Sequence, residues 1–326
     1  MKTVILDDWE GCMKEHPAVS RLREFSEVSV YGDVPAFETL VSRLQGVDAI
    51  IPLRERTLID RDLIAALPDL KLIAQTGTGL AHMDKDAVDE AGISVATTPG
   101  GSTAAVTEMT FAFLLNLTKR IVEVDRRMSV GEWPTIVTSN LSGKTIGLIG
   151  LGKIGCAVAR MAQAFGMRVI AWGPRLTRER AAQVGVEYVS LESLLTQADA
   201  VSIHVRLVPE TEGLLTTEHF ELMKPDAILV NTSRGPIIDE AALIAALQRK
   251  KIGGAGLDVF CEEPLPQHNA FAALDNVMTT PHMAWKTEET FSRFLNGSIA
   301  NIHAFFVKGE PQNIVSISRD KKKTGV

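Results

Sequence analysis

The sequence predicts an α/β protein of two domains, each built on a parallel β-sheet with helices on both faces. Three observations predict it. The chain has 326 residues, 45% of them hydrophobic, more than one ordinary core accommodates. Short β-rich runs alternate with longer stretches of helical spacing, and that alternation builds parallel sheets. A long helical pattern after Ser102 interrupts the alternation once, and then it resumes.

The first series of strands reads Thr3–Leu6, Val28–Tyr31, Ala49–Leu53, Leu72–Ala74 and Ser94–Ala96, with amphipathic stretches such as Phe37–Leu44 between them. Thr103–Arg127 carries apolar residues at helical spacing with neither Gly nor Pro. That pattern predicts one long helix crossing between domains or subunits. The second series reads Thr145–Ile149, Val169–Trp172, Ala200–Val205, Ala227–Asn231, Ala255–Phe260 and Val277–Thr280, with helices including Ile154–Phe165 and Glu240–Arg249. The last helical pattern, Glu288–Val307, follows the final strand and is expected to return to the first domain.

Charge and cysteine usage narrow the function classes. Lys plus Arg number 34 against 40 Asp plus Glu, a net charge of −6. Such a chain has no global attraction for nucleic acid or an anionic membrane. The one basic run, Arg319–Lys323, reads as a solvated tail. Cys12, Cys156 and Cys261 are widely spaced with no CxxC. They argue for a reducing compartment and against a disulfide frame or thiolate zinc site, and no metal site is expected. The N-terminus lacks the apolar core of a signal peptide, and no apolar run is long enough to span a bilayer. The cytoplasm is the expected location.

The strongest local signal is Gly150-Leu-Gly-Lys-Ile-Gly155, which follows a strand and opens a helix. Gly150 suits a tight turn, Gly152 the close approach of backbone to a pyrophosphate, and Gly155 tight helix–strand packing. The free N–H groups at the helix start, from Lys153 and Ile154 onward, suit an anion. A βα turn without a ligand is the plainer reading. The next strand ends Ala171-Trp172-Gly173-Pro174-Arg175, with Gly173 where an acid for the adenosine ribose is expected. Arg175 and Arg178 flank the position, and nothing acidic appears until Glu179. That pattern favours a 2′-phosphate, hence NADP over NAD, unless both arginines are ordinary surface groups.

Three later strands run into residues able to do chemistry: Arg234, Glu263 and His282. Singly they read as a surface cation, a loop acid and a strand-end histidine. Together they fall on the edge that carries the glycine turn, where open parallel sheets bind ligands. A guanidinium grips a carboxylate through two parallel hydrogen bonds. A histidine beside a carboxylate is oriented and favoured as the imidazolium, ready to protonate a carbonyl oxygen as hydride reaches its carbon.

At this point the chain resembles the D-isomer-specific 2-hydroxyacid dehydrogenase family. The resemblance rests on GLGKIG, on SIHVRLVPET at Ser202–Thr211, on VNTSRGPIIDEAAL at Val230–Leu243, on GAGLDVFCEEPLP at Gly254–Pro266 and on TTPH at Thr279–His282. It implies two Rossmann-like doubly wound domains, 1–100 plus 286–326 for substrate and 101–285 for the dinucleotide, with the active site in the cleft between them. It implies that Arg234 binds the substrate carboxylate, that His282 is the acid/base and Glu263 its partner. Asp258 is expected at the nicotinamide carboxamide, and His204, Thr211 and Thr232 along the cofactor. The turn Gly77-Thr78-Gly79 is expected to hold the substrate carboxylate, with Arg54 nearby and Trp285 shaping the pocket or packing in the core or at the subunit contact. A homodimer joined through the long helix and the Trp133-Pro134 region is implied, as is activity on a small 2-oxo or 2-hydroxy acid with NAD(P)(H). The formate dehydrogenase branch is disfavoured, because it carries Gln where Glu263 stands. A regulatory C-terminal domain is not expected. The alternative is a non-catalytic, dinucleotide-sensing corepressor on the same scaffold.

Overall fold

The structure, a computed structural model, describes residues 1–315, so the basic run Arg319–Lys323 lies outside the described residues. The chain divides into two compact units, Met1–Ser102 with Lys286 onward, and Thr103–Trp285.

The first unit alternates strand and helix: β1 Lys2–Ile5, α1 Pro17–Arg23, β2 Glu27–Val30, α2 Phe37–Leu44, β3 Ala49–Ile51, α3 Arg61–Ala65, β4 Leu72–Gln75, α4 Lys85–Glu90 and β5 Ser94–Thr97. The strands pair in parallel in the order β2-β1-β3-β4-β5. Chain direction across the sheet reverses between β1 and β3, and in such sheets the loops at the strands' carboxyl ends are the ones that meet ligands. Val4, Ile50, Ile73 and Val95 interdigitate with Leu40, Leu44, Leu63 and Val88 from the helices to form one core.

The second unit begins with two helices, α5 Thr103–Lys119 and α6 Ile121–Ser129. It continues through β6 Thr145–Ile149, α7 Lys153–Ala164, β7 Arg168–Trp172, α8 Arg178–Ala182, β8 Glu187–Tyr188, α9 Leu191–Gln197, β9 Ala200–Ile203, α10 Thr217–Leu222, β10 Ile228–Asn231, α11 Glu240–Gln248, β11 Gly254–Leu257 and β12 Val277–Thr279. Its seven strands are parallel, in the order β12-β11-β10-β9-β6-β7-β8. The period of two along each strand feeds two cores. Ile146, Leu148, Ile228 and Val230 face one core with Phe113 and Val158, while Ile149, Val201, Ile203 and Leu229 face the other with Leu194 and Leu243.

The last helix, α12 Glu288–His303, belongs to the first unit. Thr287 caps it by accepting from the Thr290 amide at 3.2 Å. Asn301 Nδ2 donates to the Thr97 carbonyl at 3.2 Å, and the chain beyond the helix adds Val315 N to Val95 O at 2.9 Å. These bonds tie the returning segment to β5.

The helix read as continuous from Thr103 to Arg127 is broken. Arg120 takes left-handed backbone angles, φ 53° and ψ 38°, and α6 starts afresh after it. The side chains of Asn116 and Thr118 bond back to the carbonyls of Ala112 and Leu114, which loosens a last turn. Two β-branched residues, Ile121 and Val122, follow. The Arg120 guanidinium then closes the corner on Glu123 through bonds of 2.5 and 2.7 Å. Strands also end earlier than the apolar runs suggest. β11 stops at Leu257 and β9 at Ile203, because Asp258 and His204 already belong to the loops.

Candidate active site

Strands β10, β11 and β12 are hydrogen-bonded neighbours, so the loops leaving their carboxyl ends lie side by side. The first loop is latched by buried Asn231. Its Nδ2 donates to the Arg234 carbonyl at 2.9 Å, and its Oδ1 accepts from the Ser233 amide at 3.0 Å. Gly235 permits the next contact: any Cβ there would collide with the Phe260 carbonyl and stand 2.5 Å from Cys261 N. The Arg234 and Glu263 loops are therefore pressed together at their bases.

His282 Nδ1 donates to Glu263 Oε2 at 2.6 Å, while the Phe260 amide donates to Glu263 Oε1 at 2.9 Å. Burial alone would raise the Glu263 carboxyl. The His282 hydrogen bond and charge, the Phe260 amide and the positive charge of Arg234 outweigh it and hold the group below the usual range. With Nδ1 committed to the carboxylate, Nε2 is the ring atom left to exchange a proton.

Asp258 fixes the position of that ring. Its side chain is 1% exposed. Oδ1 accepts from Thr280 Oγ1 at 2.5 Å and from the Met283 amide at 2.8 Å, and Oδ2 from the Ala284 amide at 2.9 Å. The Asp258 carbonyl accepts from the His282 amide at 2.8 Å. The clamp holds His282 at φ 47°, a left-handed conformation a non-glycine residue adopts only under constraint. Burial raises the Asp258 carboxyl, partly offset by the bonds from Thr280, Ala284 and Met283. Whatever it meets in a ligand, Asp258 already braces the His282 loop.

The glycine turn joins β6 to α7. Gly150 sits at φ 104°, and a Cβ there would come within 2.7–2.8 Å of the His204–Val205 peptide. The N-cap of α7 is Gly152, with no side-chain cap and no acid in the first turn. The amides of Lys153, Ile154 and Gly155 thus open a helix end suited to an anion. His204 pairs Nε2 with Ser202 Oγ at 2.9 Å, and packing around the ring pushes its pKa down to about 4, so it is neutral although partly open to solvent. Thr211 Oγ1 donates to the Arg206 carbonyl at 2.6 Å and staples its own loop. Thr232 Oγ1 is buried without a hydrogen-bond partner among the described residues, a hydroxyl still to be satisfied. At the end of β7, Arg175 and Arg178 are exposed, and a Cβ on Gly173 would make only ordinary contacts, 3.4 Å from Leu176 Cβ. Trp285 is buried, at 5% exposed.

Arg54, Thr78 and Gly79 belong to the first unit. Arg54 holds φ 62° because β4 pins it: Gln75 Nε2 donates to its carbonyl at 2.6 Å, and its amide donates to Thr76 Oγ1 at 2.6 Å. The Gly77 amide donates to Thr98 Oγ1 at 2.6 Å, which sets the turn so that Thr78 is exposed. The guanidinium of Arg54 lies against Gly77 and the carboxylate of Glu55 against Gly79. His82, just beyond, is buried with neither ring nitrogen partnered among the described residues, and burial lowers its pKa. Reasoning from sequence alone missed Asn231, Gln75, Thr98, Glu55 and His82. Only Asn231 had an available signal, an Asn at a strand end two residues before the amide it holds.

Among the described residues no three His, Cys, Asp or Glu side chains group as metal ligands, and no helix is long and apolar enough to cross a membrane. Residues 111–284 match the family model described as D-isomer specific 2-hydroxyacid dehydrogenase, NAD binding domain. The chain is 39% identical over 310 residues to a glyoxylate reductase of Aeropyrum pernix, covering 92% of each. It superposes on the TT0316 protein of Thermus thermophilus with a TM-score of 0.88 at 36% identity, covering 97% of this chain and 100% of that one. An acyclic imino acid reductase, Bsp5, solved with NADPH and D-Arg, gives a TM-score of 0.83 at 31% identity, covering 96% and 100%.

Proposed function

Since the chain belongs to the D-isomer specific 2-hydroxyacid dehydrogenase family, we propose that it reduces a small 2-oxo acid to the D-2-hydroxy acid, and catalyses the reverse. The observation that carries the proposal is the 2.6 Å bond from His282 Nδ1 to Glu263, made in the field of Arg234. Arg234 grips the substrate carboxylate and polarises the carbonyl. His282 gives its Nε2 proton to the carbonyl oxygen, and Glu263 stabilises the imidazolium before transfer. In the first unit, the turn Gly77-Thr78-Gly79 offers the Thr78 and Gly79 amides to a carboxylate, with Arg54 adding positive charge; in the second, Trp285 limits the side chain admitted.

A bound nicotinamide dinucleotide supplies the hydride. The residues fit such a group: the Gly150 turn, the uncapped start of α7 and the unsatisfied Thr232 hydroxyl are the features a pyrophosphate and ribose would use. NADP is favoured over NAD, supported by Gly173 and by exposed Arg175 and Arg178. Glyoxylate is the leading substrate, supported by the relative named glyoxylate reductase, with hydroxypyruvate and 3-phosphoglycerate-type acids as the other candidates. The proposal includes a homodimer. It is supported by the apolar surface of α6 and the segment after it, where Trp133 is 82% and Val137 96% exposed. It also includes a reducing, cytoplasmic setting, supported by three free cysteines.

A panel of 2-oxo acids, each assayed with NADH and with NADPH by nicotinamide absorbance, tests activity, substrate and cofactor together. Turnover of glyoxylate or hydroxypyruvate, faster with NADPH, is the expected result. A protein that oxidises neither cofactor with any 2-oxo acid would refute the proposal.

A further inference from the structure

The turn Gly77-Thr78-Gly79 exposes backbone, and the chain lays one of its own carboxylates over it. The geometry begins at Arg54, held left-handed by Gln75 and Thr76. That twist directs residue 55 at the loop after β4. A Cβ built on Gly79 would overlap Glu55 Oε1 and stand 2.7 Å from its carboxyl carbon. Only glycine at 79 lets the carboxylate come so close. One residue back, the Arg54 guanidinium covers Gly77, its Cζ 3.3 Å from the corresponding Cβ position. The amides of Thr78 and Gly79 donate to no backbone carbonyl among the described residues.

We propose that Glu55 is an internal competitor for this turn. Its carboxylate lies against Gly79, where a substrate carboxylate has to arrive, one residue on from the Gly77 covered by the Arg54 guanidinium, and it withdraws as the substrate binds. The inference rests on the reading of the turn as a carboxylate site. Two carboxylates in contact repel each other, so both do not share the place. A glutamate carries three rotatable side-chain bonds and is able to swing away while Arg54 stays pinned by its backbone. Part of the substrate's binding energy is therefore used to displace Glu55. That raises KM for a carboxylate substrate without touching the proton and hydride steps, since interactions lost equally before and at the transition state change KM rather than kcat.

The test compares the full-length wild type with Glu55→Gln, which keeps shape and removes charge, and with Glu55→Ala. Each is assayed with glyoxylate and with its uncharged methyl ester, and the binding of oxamate, a non-reducible 2-oxo acid analogue, is measured by calorimetry with cofactor present. Glu55→Gln is expected to lower the glyoxylate KM and the oxamate Kd by about fivefold, the scale of a partly exposed charge pair. The ester KM stays where it was, and Glu55→Ala follows Glu55→Gln. A glyoxylate KM that is unchanged or raised overturns the competition, as does an equal fall for acid and ester. A wild type that binds acid and ester alike removes the carboxylate site from the turn, and the competition with it. A wild type inactive on every 2-oxo acid fails the proposed function instead, which the oxamate titration of wild type and Glu55→Gln separates from failure of the competition.

Discussion

In the proposed mechanism, the second unit puts its chemistry in side chains. Arg234, Glu263 and His282 sit on loops of three adjacent strands and are braced by Asn231 and Asp258. In the same proposal, the first unit puts its recognition in backbone. Its turn at Gly77–Gly79 has no titratable group of its own and is held by Thr98 from behind, while Gln75 and Thr76 pin Arg54 beside it. The difference sets how each site fails. A side-chain site loses its chemistry with one atom group, whereas a backbone site loses function only when its supports go.

His282→Ala is the largest break available. Removing a positioned acid costs about 10²–10⁴-fold in turnover, while dinucleotide binding, read by fluorescence titration, should persist. A variant within tenfold of wild type would remove the second unit's claim to the proton step. Asp258→Asn comes next. An amide cannot accept from Thr280, Met283 and Ala284 with both ends, so one N–H must face an NH₂ group. The His282 loop then shifts, and a displacement near 1 Å costs about 10²-fold in kcat. Should cofactor affinity fall while kcat holds, Asp258 acts at the nicotinamide rather than through the loop.

Glu263→Gln has a smaller effect with a definite sign. The carboxylate accepts from His282 Nδ1 at 2.6 Å and orients the ring, and an amide in its place holds the ring through a weaker, uncharged bond. Replacing it leaves about a tenfold deficit in kcat. The Glu263 carboxyl lies below its ordinary range. Its contribution to stability is thus present above that range and lost as pH falls through the lowered value. A kcat in Glu263→Gln equal to that of wild type would separate the pair from the proton transfer.

The same contrast explains what was legible in the sequence. Strand–helix alternation with period-two burial predicts both parallel sheets, and apolar runs ending in Arg234, Glu263 and His282 mark their neighbouring strand ends. Arg120 was not legible, because the break in the long helix depends on side chains of Asn116 and Thr118 folding back onto carbonyls. Glu55 was not legible either. Its place over Gly79 follows from a left-handed Arg54, and nothing in the local sequence demands φ 62° of an arginine. Short helices such as α3 and α8, five residues each, escape because they carry barely more than one turn of periodicity.

The smallest effect is expected where the first unit's backbone is supported. Thr98 is buried, accepts from the Gly77 amide at 2.6 Å and donates to the Gln75 carbonyl at 3.3 Å. α12 packs tightly on it, since a Cβ on Gly297 would stand 2.7 Å from Thr98 Cγ2. Thr98→Val keeps the shape that α12 requires and removes both hydrogen bonds. The Gly77 amide is left buried without its acceptor, at a cost of about 1–3 kcal/mol, measurable by urea unfolding. The turn keeps its sequence but loses its aim. KM for a 2-oxo acid should therefore rise several-fold while kcat changes little, the reverse of the pattern for His282→Ala. If kcat falls and KM holds, the turn takes part in the chemical step, and the division between a side-chain site and a backbone site has to be redrawn.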